Sequence, residues 1–317
     1  MELHLEALRT FLNGQVEEFE EEIREHVAYC LKHSGKRIRP MLLFYGGWKG
    51  EGIINPAHVK AAAVVELVHL ATLVHDDILD DAHIRHKSPT LSRLAGPEVA
   101  VLVGDALFAH ALNLAADFPT TEVCKTVALA TRRVCAGEIA QNFQKGNTEL
   151  SRALYYRIID YKTAELFRVS SLLGALLADY PAAFVEAAGG FGRHLGIAYQ
   201  IFDDLTDILG KEENAGKTLG TDAANCKLTL PLMLLAEKFD APERAAFVQS
   251  LRDGQVSGES LRERFEKEHI AEAVAAAFDH EIFLANRCLE PYGALPPVHR
   301  LLEISHFVAQ MVNHLKH

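Results

Sequence analysis

At 317 residues, 49% hydrophobic and 24% charged, the chain is long enough to bury a sizeable core in one or two domains. Its net charge of −11 excludes a general nucleic-acid binder, while leaving room for a local basic patch that takes phosphate. Five scattered cysteines without a CxxC pair argue against a disulfide framework or a zinc site, and an acidic N-terminus without an apolar signal core points to a soluble, cytoplasmic protein.

Helical periodicity dominates and no alternating strand stands out, so the expected fold is all-α, in one domain spanning 1–317. Residues 3–33 read as one or two amphipathic helices striped by Leu5, Leu8, Phe11, Leu12, Val16, Phe19, Ile23 and Val27. SGKRIRP (34–40) breaks the pattern, and Pro40 opens the next helix. Pro56 opens a helix running to an aspartate cluster, Ser88-Pro89-Thr90 is a loop and helix start, and Pro97 opens a further helix. Residues 120–144, 150–178 and 182–209 read as three more helices, the second a long one. Residues 210–225 are loop-like, and several weaker helices finish the chain. No uninterrupted apolar run reaches membrane-span length, because Glu66, His69 and His75 interrupt the longest candidate.

Chemistry concentrates in two DDxxD triplets, Asp76, Asp77 and Asp80, then Asp203, Asp204 and Asp207. Helical positions i, i+1 and i+4 share a face, so each triplet is a carboxylate patch at the end of an apolar run. A lone acidic cluster is usually a solvated face. Here the flanks are Val64, Val65, Leu67, Val68, Leu70, Leu73 and Val74 for the first, and Ile197, Ala198, Ile201 and Phe202 for the second. Three carboxylates on one apolar face repel each other and resist burial, and a cation relieves both penalties. Hard oxygen donors that leave room for water and phosphate suit Mg2+, so the expectation is two patches facing across a cavity and holding Mg2+ against a diphosphate.

Basic groups accompany the patches: Lys36, Arg37 and Arg39 in one loop, Arg85, His86 and Lys87 after the first triplet, and Lys162, Lys217 and Lys227 later. Singly they read as surface charge. Beside two acidic patches they suggest two phosphate subsites, one reached through metal and one bound directly by Arg and Lys.

These elements together resemble the trans-type isoprenyl diphosphate synthases (polyprenyl synthetases), in register from about residue 34 to about 235. The likeness rests on GKRIRP (35–40), VELVHLATLVHDDILDDAHIRHKSPT (65–90), LVGDALFAHA (102–111), GEIAQ (137–141), YKTAELF (161–167), YQIFDDLTD (199–207) and GKTLGTDAANCKLTLP (216–231). It implies an all-helical bundle around a deep central cavity, usually a homodimer. It implies that Asp76, Asp77 and Asp80, with Asp203 and the rest of the second triplet, bind three Mg2+ that grip an allylic diphosphate. Arg85, Lys162 and Lys217 would touch that diphosphate, and Thr163 and Gln200 would stand by the ionising carbon. Lys36, Arg39 and His69 would bind isopentenyl diphosphate, with Arg37 inside the same motif. By residue type alone, His69 reads equally as a satisfied core histidine.

One departure stands out. Such synthases usually carry two arginines and a glycine after the first triplet, where this chain reads Arg85-His86-Lys87. Imidazole is a weaker phosphate partner near neutral pH than guanidinium. Product length in the family is set before the first triplet, here by Ala71 and Thr72, then Val68 and Val64, or else on a neighbouring helix at Phe108 or Val127. Small Ala71 and Thr72 point to a medium- to long-chain product. The alternatives are a geranylgeranyl or farnesyl diphosphate synthase, a terpene cyclase, or a non-catalytic subunit of a heteromeric synthase.

Overall fold

A computed structural model describes residues 1–33, 35–144, 151–210, 220–224 and 227–313. The helices are α1 (Glu2–Gln15), α2 (Arg24–Lys32), α3 (Ile38–Gly46), α4 (Pro56–Leu79), α5 (Leu91–Ala95), α6 (Pro97–Ala116), α7 (Thr121–Gln144), α8 (Arg152–Ile159), α9 (Glu165–Leu177) and α10 (Ala182–Leu209). They continue as α11 (Thr221–Ala224), α12 (Leu230–Ala236), α13 (Ala241–Arg252), α14 (Gly258–Lys267), α15 (Ile270–Leu289) and α16 (Pro296–Asn313). Strand is confined, among the described residues, to a hairpin of β1 (Ile84–Arg85) and β2 (Ser88–Pro89).

The architecture is all-α, with three local departures from the sequence reading. The long helix expected over 150–178 carries one π-helical turn, Asp160–Ala164, between α8 and α9. Helix α3 begins at Ile38 rather than Pro40, because Arg37 takes a left-handed φ of 52° that ends the loop there. The third is the hairpin, which is too short to carry an alternating pattern.

The chain divides into two compact units. One comprises Met1–Arg132, Leu166–Gly192 and Cys288–Glu303; the other comprises Arg133–Glu165, Arg193–Arg287 and Ile304–His317. The first unit is built around α4, against which α1, α3, α5 and α6 pack. Asn55 caps α4 by accepting from the Ala57 N–H at 2.9 Å, and Pro56 fills the first helical position. Every residue from Ala61 to Val68 is buried, and Glu66 is the one polar member of that run. Such a helix is apolar all round because it is covered all round. By length and composition α4 and α6 are both long and apolar enough to cross a membrane, single polar residues notwithstanding. In α4 the apolar window is 72% buried within the protein, as in a core helix, against 39% in α6.

In the second unit Ile197, Ala198, Ile201 and Leu205 form the buried stripe of α10, at the spacing of one helical face. Side-chain caps start α8 and α13, with Ser151 accepting from the Leu154 N–H and Asp240 from the Glu243 N–H.

Candidate active site

The first unit holds the first triplet at the C-terminal end of α4. Asp76 is half-buried, Asp77 is buried, and Asp80 is the C-cap, its N–H donating to the Asp76 carbonyl at 2.9 Å. Asp77 accepts from Arg85 Nε at 2.7 Å. Burial raises the Asp77 carboxyl above the usual range; Arg85 opposes that shift and the neighbouring Asp80 charge adds to it. The same desolvation, with Asp77 nearby, pushes the Cys30 thiol up to about 12.

Arg85 is aimed by the hairpin. Its two turn residues, His86 and Lys87, both have positive φ, 49° and 63°, as a two-residue primed turn demands. The family pattern places glycine where Lys87 stands, and the backbone keeps the left-handed form that glycine would adopt freely. The ring of His86 lies against Gly35, whose φ is 71°; a Cβ there would fall 2.9 Å from His86 Nε2. The GKRIRP loop and the hairpin turn therefore touch, with Lys36 exposed and Arg37 half-buried beside them.

Behind that turn, Arg39 Nη1 donates to His69 Nε2 at 3.0 Å, and its guanidinium lies 4.9 Å from the Phe167 ring centroid. Burial holds the His69 pKa well below the usual range, reinforced by the positive charges of Arg39, Arg85 and His86. A guanidinium can only donate, so Nε2 accepts and the ring is neutral. Arg39, His69, Arg85 and His86 thus form one electrostatic cluster, linked through Arg85 to Asp77. On α4 the half-open positions His69, Thr72, Leu73 and Asp76 share a face, whereas Val64, Val68 and Ala71 are fully buried. Phe108 is half-buried and Val127 buried.

The second triplet lies in the other unit, and its three carboxylates differ. Asp203 is half-buried. Asp204 is 4% exposed and accepts twice, from Tyr155 Oη at 2.6 Å and from Gln200 Nε2 at 2.7 Å. Asp207, 2% exposed, accepts from the Asp222 N–H at 3.0 Å, and its carbonyl accepts from the Gly220 N–H at 2.9 Å. Thr163 Oγ1 donates to Gln200 Oε1 at 2.6 Å, so Thr163, Gln200, Asp204 and Tyr155 form one chain of hydrogen bonds. Burial and the Asp204 charge lift the Tyr155 phenol well above its usual range, which keeps it a donor. Lys162 is ion-paired with Glu138 of α7. Lys227 is half-buried, its N–H donating to the Asp222 carbonyl at 2.8 Å, and Lys217 lies outside the described residues.

Sequence reading missed Tyr155, Glu138 and Asp222 as members of this site. Glu138 and Asp222 sit inside GEIAQ and GTDAAN, stretches already singled out by resemblance, whereas nothing in the local pattern marks Tyr155.

Comparison with known proteins identifies the family. The family model described as polyprenyl synthetase matches residues 20–267. The chain belongs to the polyprenyl synthetase family. A curated relative, heptaprenyl diphosphate synthase component 2 of Geobacillus stearothermophilus, is 34% identical over 243 residues, covering 73% of this chain and 75% of the relative. Among solved structures, a decaprenyl diphosphate synthase from Rhodobacter capsulatus superposes with a TM-score of 0.88 at 31% identity, covering 98% of this chain and 96% of that one. A polyprenyl synthase from Caulobacter crescentus CB15, complexed with calcium and isoprenyl diphosphate, gives 0.87 at 29% identity, covering 97% and 94%. The polyprenyl synthetase fold and its chain-elongating trans-prenyltransferase activity, which joins an allylic diphosphate to isopentenyl diphosphate, are those of this chain.

The residues present fit a divalent cation. Burial and the neighbouring Asp80 charge raise the cost of ionising Asp77 at this helix end, and a cation would offset both. Among the described residues no three His, Cys, Asp or Glu side chains form a cage on their own.

Proposed function

We propose that this polyprenyl synthetase is a Mg2+-dependent synthase of medium- to long-chain polyprenyl diphosphates. The observation that carries the reading is the linkage of Asp77 through Arg85 to the Arg39–His69–His86 cluster, which sets carboxylate donors for metal beside a cationic phosphate subsite. Asp76, Asp77, Asp80 and Asp203 serve as ligands for three Mg2+, while Asp204 and Asp207 order the helix end that carries Asp203. Mg2+ supplies positive charge against the leaving diphosphate.

Arg85, Lys162 and Lys217 bind the allylic diphosphate, and Lys162 exchanges Glu138 for its oxygens. Lys36, Arg37, Arg39, His69 and His86 hold isopentenyl diphosphate, with Lys227 a further basic group beside the glycine-rich loop. As the allylic C–O bond breaks, the lone pairs of Thr163 Oγ1 and Gln200 Oε1 face the developing cation. The isopentenyl double bond forms the new C–C bond, and the proton it sheds goes to the departing diphosphate. Apolar walls exclude the water that would otherwise quench the cation.

Ala71 and Thr72, then Val68, set the product length; Thr72 lies on the half-open face of α4 below Asp76, while Ala71 and Val68 are buried behind it. Medium or long products follow from the small residues there and from the hepta- and decaprenyl synthases among the relatives. A homodimer is supported by the apolar residues left exposed on α6 (Val101, Leu102, Leu112) and α7 (Leu129, Ile139, Phe143). The placement is cytoplasmic.

The test is incubation with Mg2+, an allylic diphosphate and isopentenyl diphosphate, with products read by mass spectrometry and light scattering for the dimer. Loss of product on chelation and its return with Mg2+ supports the reading; no condensation with any allylic substrate overturns it. One relative is a component of a synthase, which favours a second reading in which a partner polypeptide is required. Turnover by the purified chain alone excludes it.

A further inference from the structure

The π-turn at Asp160–Ala164 interrupts an otherwise regular helix at Lys162 and Thr163. Single π-turns are uncommon and persist where something holds them. Residues five apart stand about 140° apart around an α-helix, at roughly 100° per residue, and so leave on different faces. A π-turn bonds residue i to i+5 and brings such a pair together. Asp160 and Glu165 are five apart, bracket the turn, and both lie within ion-pair distance of one guanidinium. Arg133 approaches Asp160 Oδ2 at 3.6 Å and Glu165 Oε2 at 3.4 Å, and its guanidinium lies 4.5 Å from the ring centroid of Tyr161 within the turn.

A second clamp holds the same end. Arg193 of α10 donates to both Asp160 oxygens, Nε at 2.6 Å and Nη2 at 3.1 Å. Glu165 has no exposed surface and Asp160 is 7% exposed, so both carboxylates sit where a lost partner is costly. The backbone of α7 closes the arrangement. A Cβ on Gly137 would lie 2.6 Å from Lys162 N and 3.1 Å from Lys162 Cα. Within this frame Lys162 meets Glu138 on α7 while Thr163 meets Gln200 on α10. Tightening the turn to α geometry rotates α8 by about one residue, roughly 100°, against α9. Lys162 and Thr163 then cannot both keep their partners.

We propose that Arg133 and Arg193, acting through Asp160 and Glu165, are positioning residues that hold the π-turn and so aim Lys162 at the allylic diphosphate and Thr163 at the ionising carbon. The inference rests on the condensation reaction proposed above. It gives those four charged side chains a role in the allylic half of the reaction rather than in affinity for isopentenyl diphosphate.

The test uses two double variants that strand no buried charge, Arg133→Met with Glu165→Gln, and Arg193→Met with Asp160→Asn, together with Arg133→Lys. Crystal structures of the variants read residues 160–164 directly, and steady-state kinetics separate kcat from KM. The expected result is a regular α-helix through the turn, a kcat about a hundredfold lower from an ångström-scale misplacement, and an unchanged KM for isopentenyl diphosphate. Arg133→Lys, which can pair with one carboxylate at a time, recovers part of kcat. A π-turn that survives both double variants overturns the proposal, as does an unaltered kcat once the turn has tightened. A wild-type chain without condensation activity instead sinks the assigned reaction, and the structures still decide what holds the turn.

Discussion

The second triplet offers a sharp test, because its three aspartates look equivalent in the sequence and are not equivalent in the fold. Replacing Asp204 with Ala removes the acceptor of two short hydrogen bonds, from Tyr155 Oη and Gln200 Nε2, at a site only 4% exposed. A hydrogen bond to a charged group is worth about 1.5–3 kcal/mol, and a buried donor left unpaired costs about 1–3 kcal/mol. Relief of the buried charge returns part of this, so the net loss is about 3 kcal/mol, or several degrees of melting temperature for a chain this long. Asp203 is half-buried, and Asp203→Ala should leave the melting temperature within about a degree, the usual range for a site outside the core. Its cost falls on catalysis, two or more orders of magnitude in kcat, the equivalent of about 3 kcal/mol of charge stabilisation. Thermal melts with and without Mg2+ should show a metal-dependent rise in the Asp204 variant that is reduced in the Asp203 variant. If Asp204→Ala melts like the wild type and loses turnover as completely as Asp203→Ala, the division between ligand and network is wrong.

The other outcomes are smaller and independent. Lys87 holds a φ of 63°, so Lys87→Gly should stabilise the protein by up to about 1 kcal/mol, the left-handed cost less the added chain entropy, checked by urea titration. His86→Arg should lower the KM for isopentenyl diphosphate and leave that for the allylic substrate unchanged; equal movement of both constants across pH 6 to 8 would remove His86 from that subsite. Thr72→Phe should shorten the product, since the added ring protrudes from the half-open face of α4, whereas Ala71→Phe must first repack a site with no exposed surface, at about 1–3 kcal/mol, before it acts on length. Mass spectrometry of the products separates the two, and an unshifted distribution in both places the floor on another helix.

Much of this was legible in the chain itself because the signals were local. Pro56 and Pro97 begin α4 and α6 where a proline at the first helical position should, and the α10 boundaries follow the apolar period to its end at Leu209. The aspartate spacing marked both carboxylate patches. What the sequence could not carry was the hydrogen-bond partner of each carboxylate, which depends on tertiary placement. Asp203 and Asp204 are neighbours in the chain, yet one is half-buried while the other is enclosed by Tyr155 and Gln200. The π-turn escaped notice for a related reason. One extra residue in a turn leaves the apolar pattern almost intact, and what stabilises it are arginines far away in the sequence, Arg133 and Arg193. Lys87 was visible as a departure from the family pattern, but its left-handed backbone was not.

The cluster around His69 leads to one further expectation, on proton linkage. In the substrate-free protein the His69 pKa lies well below its ordinary value, through burial first and then through Arg39, Arg85 and His86. The folded state therefore favours the neutral ring. This contribution to stability is present above about pH 6.5, the unfolded value, and is lost as pH falls toward the folded one. Nε2 is also blocked, since it accepts the Arg39 N–H, and a proton placed there would set two donors against each other. A diphosphate bound to Arg39 changes both conditions. It takes the guanidinium donor away from Nε2, and its negative charge cancels the field that disfavoured the imidazolium. Isopentenyl diphosphate binding should then draw a proton onto His69, against whatever protons the diphosphate itself releases. Calorimetric titration in buffers of different ionisation enthalpy counts the net protons, and His69→Gln, which keeps an acceptor for Arg39, removes only the histidine's share. At pH 6 the wild type should take up a measurable fraction of a proton more than the variant, and the difference should vanish by pH 8. Equal proton counts at pH 6 would mean that the substrate does not reach the Arg39–His69 pair.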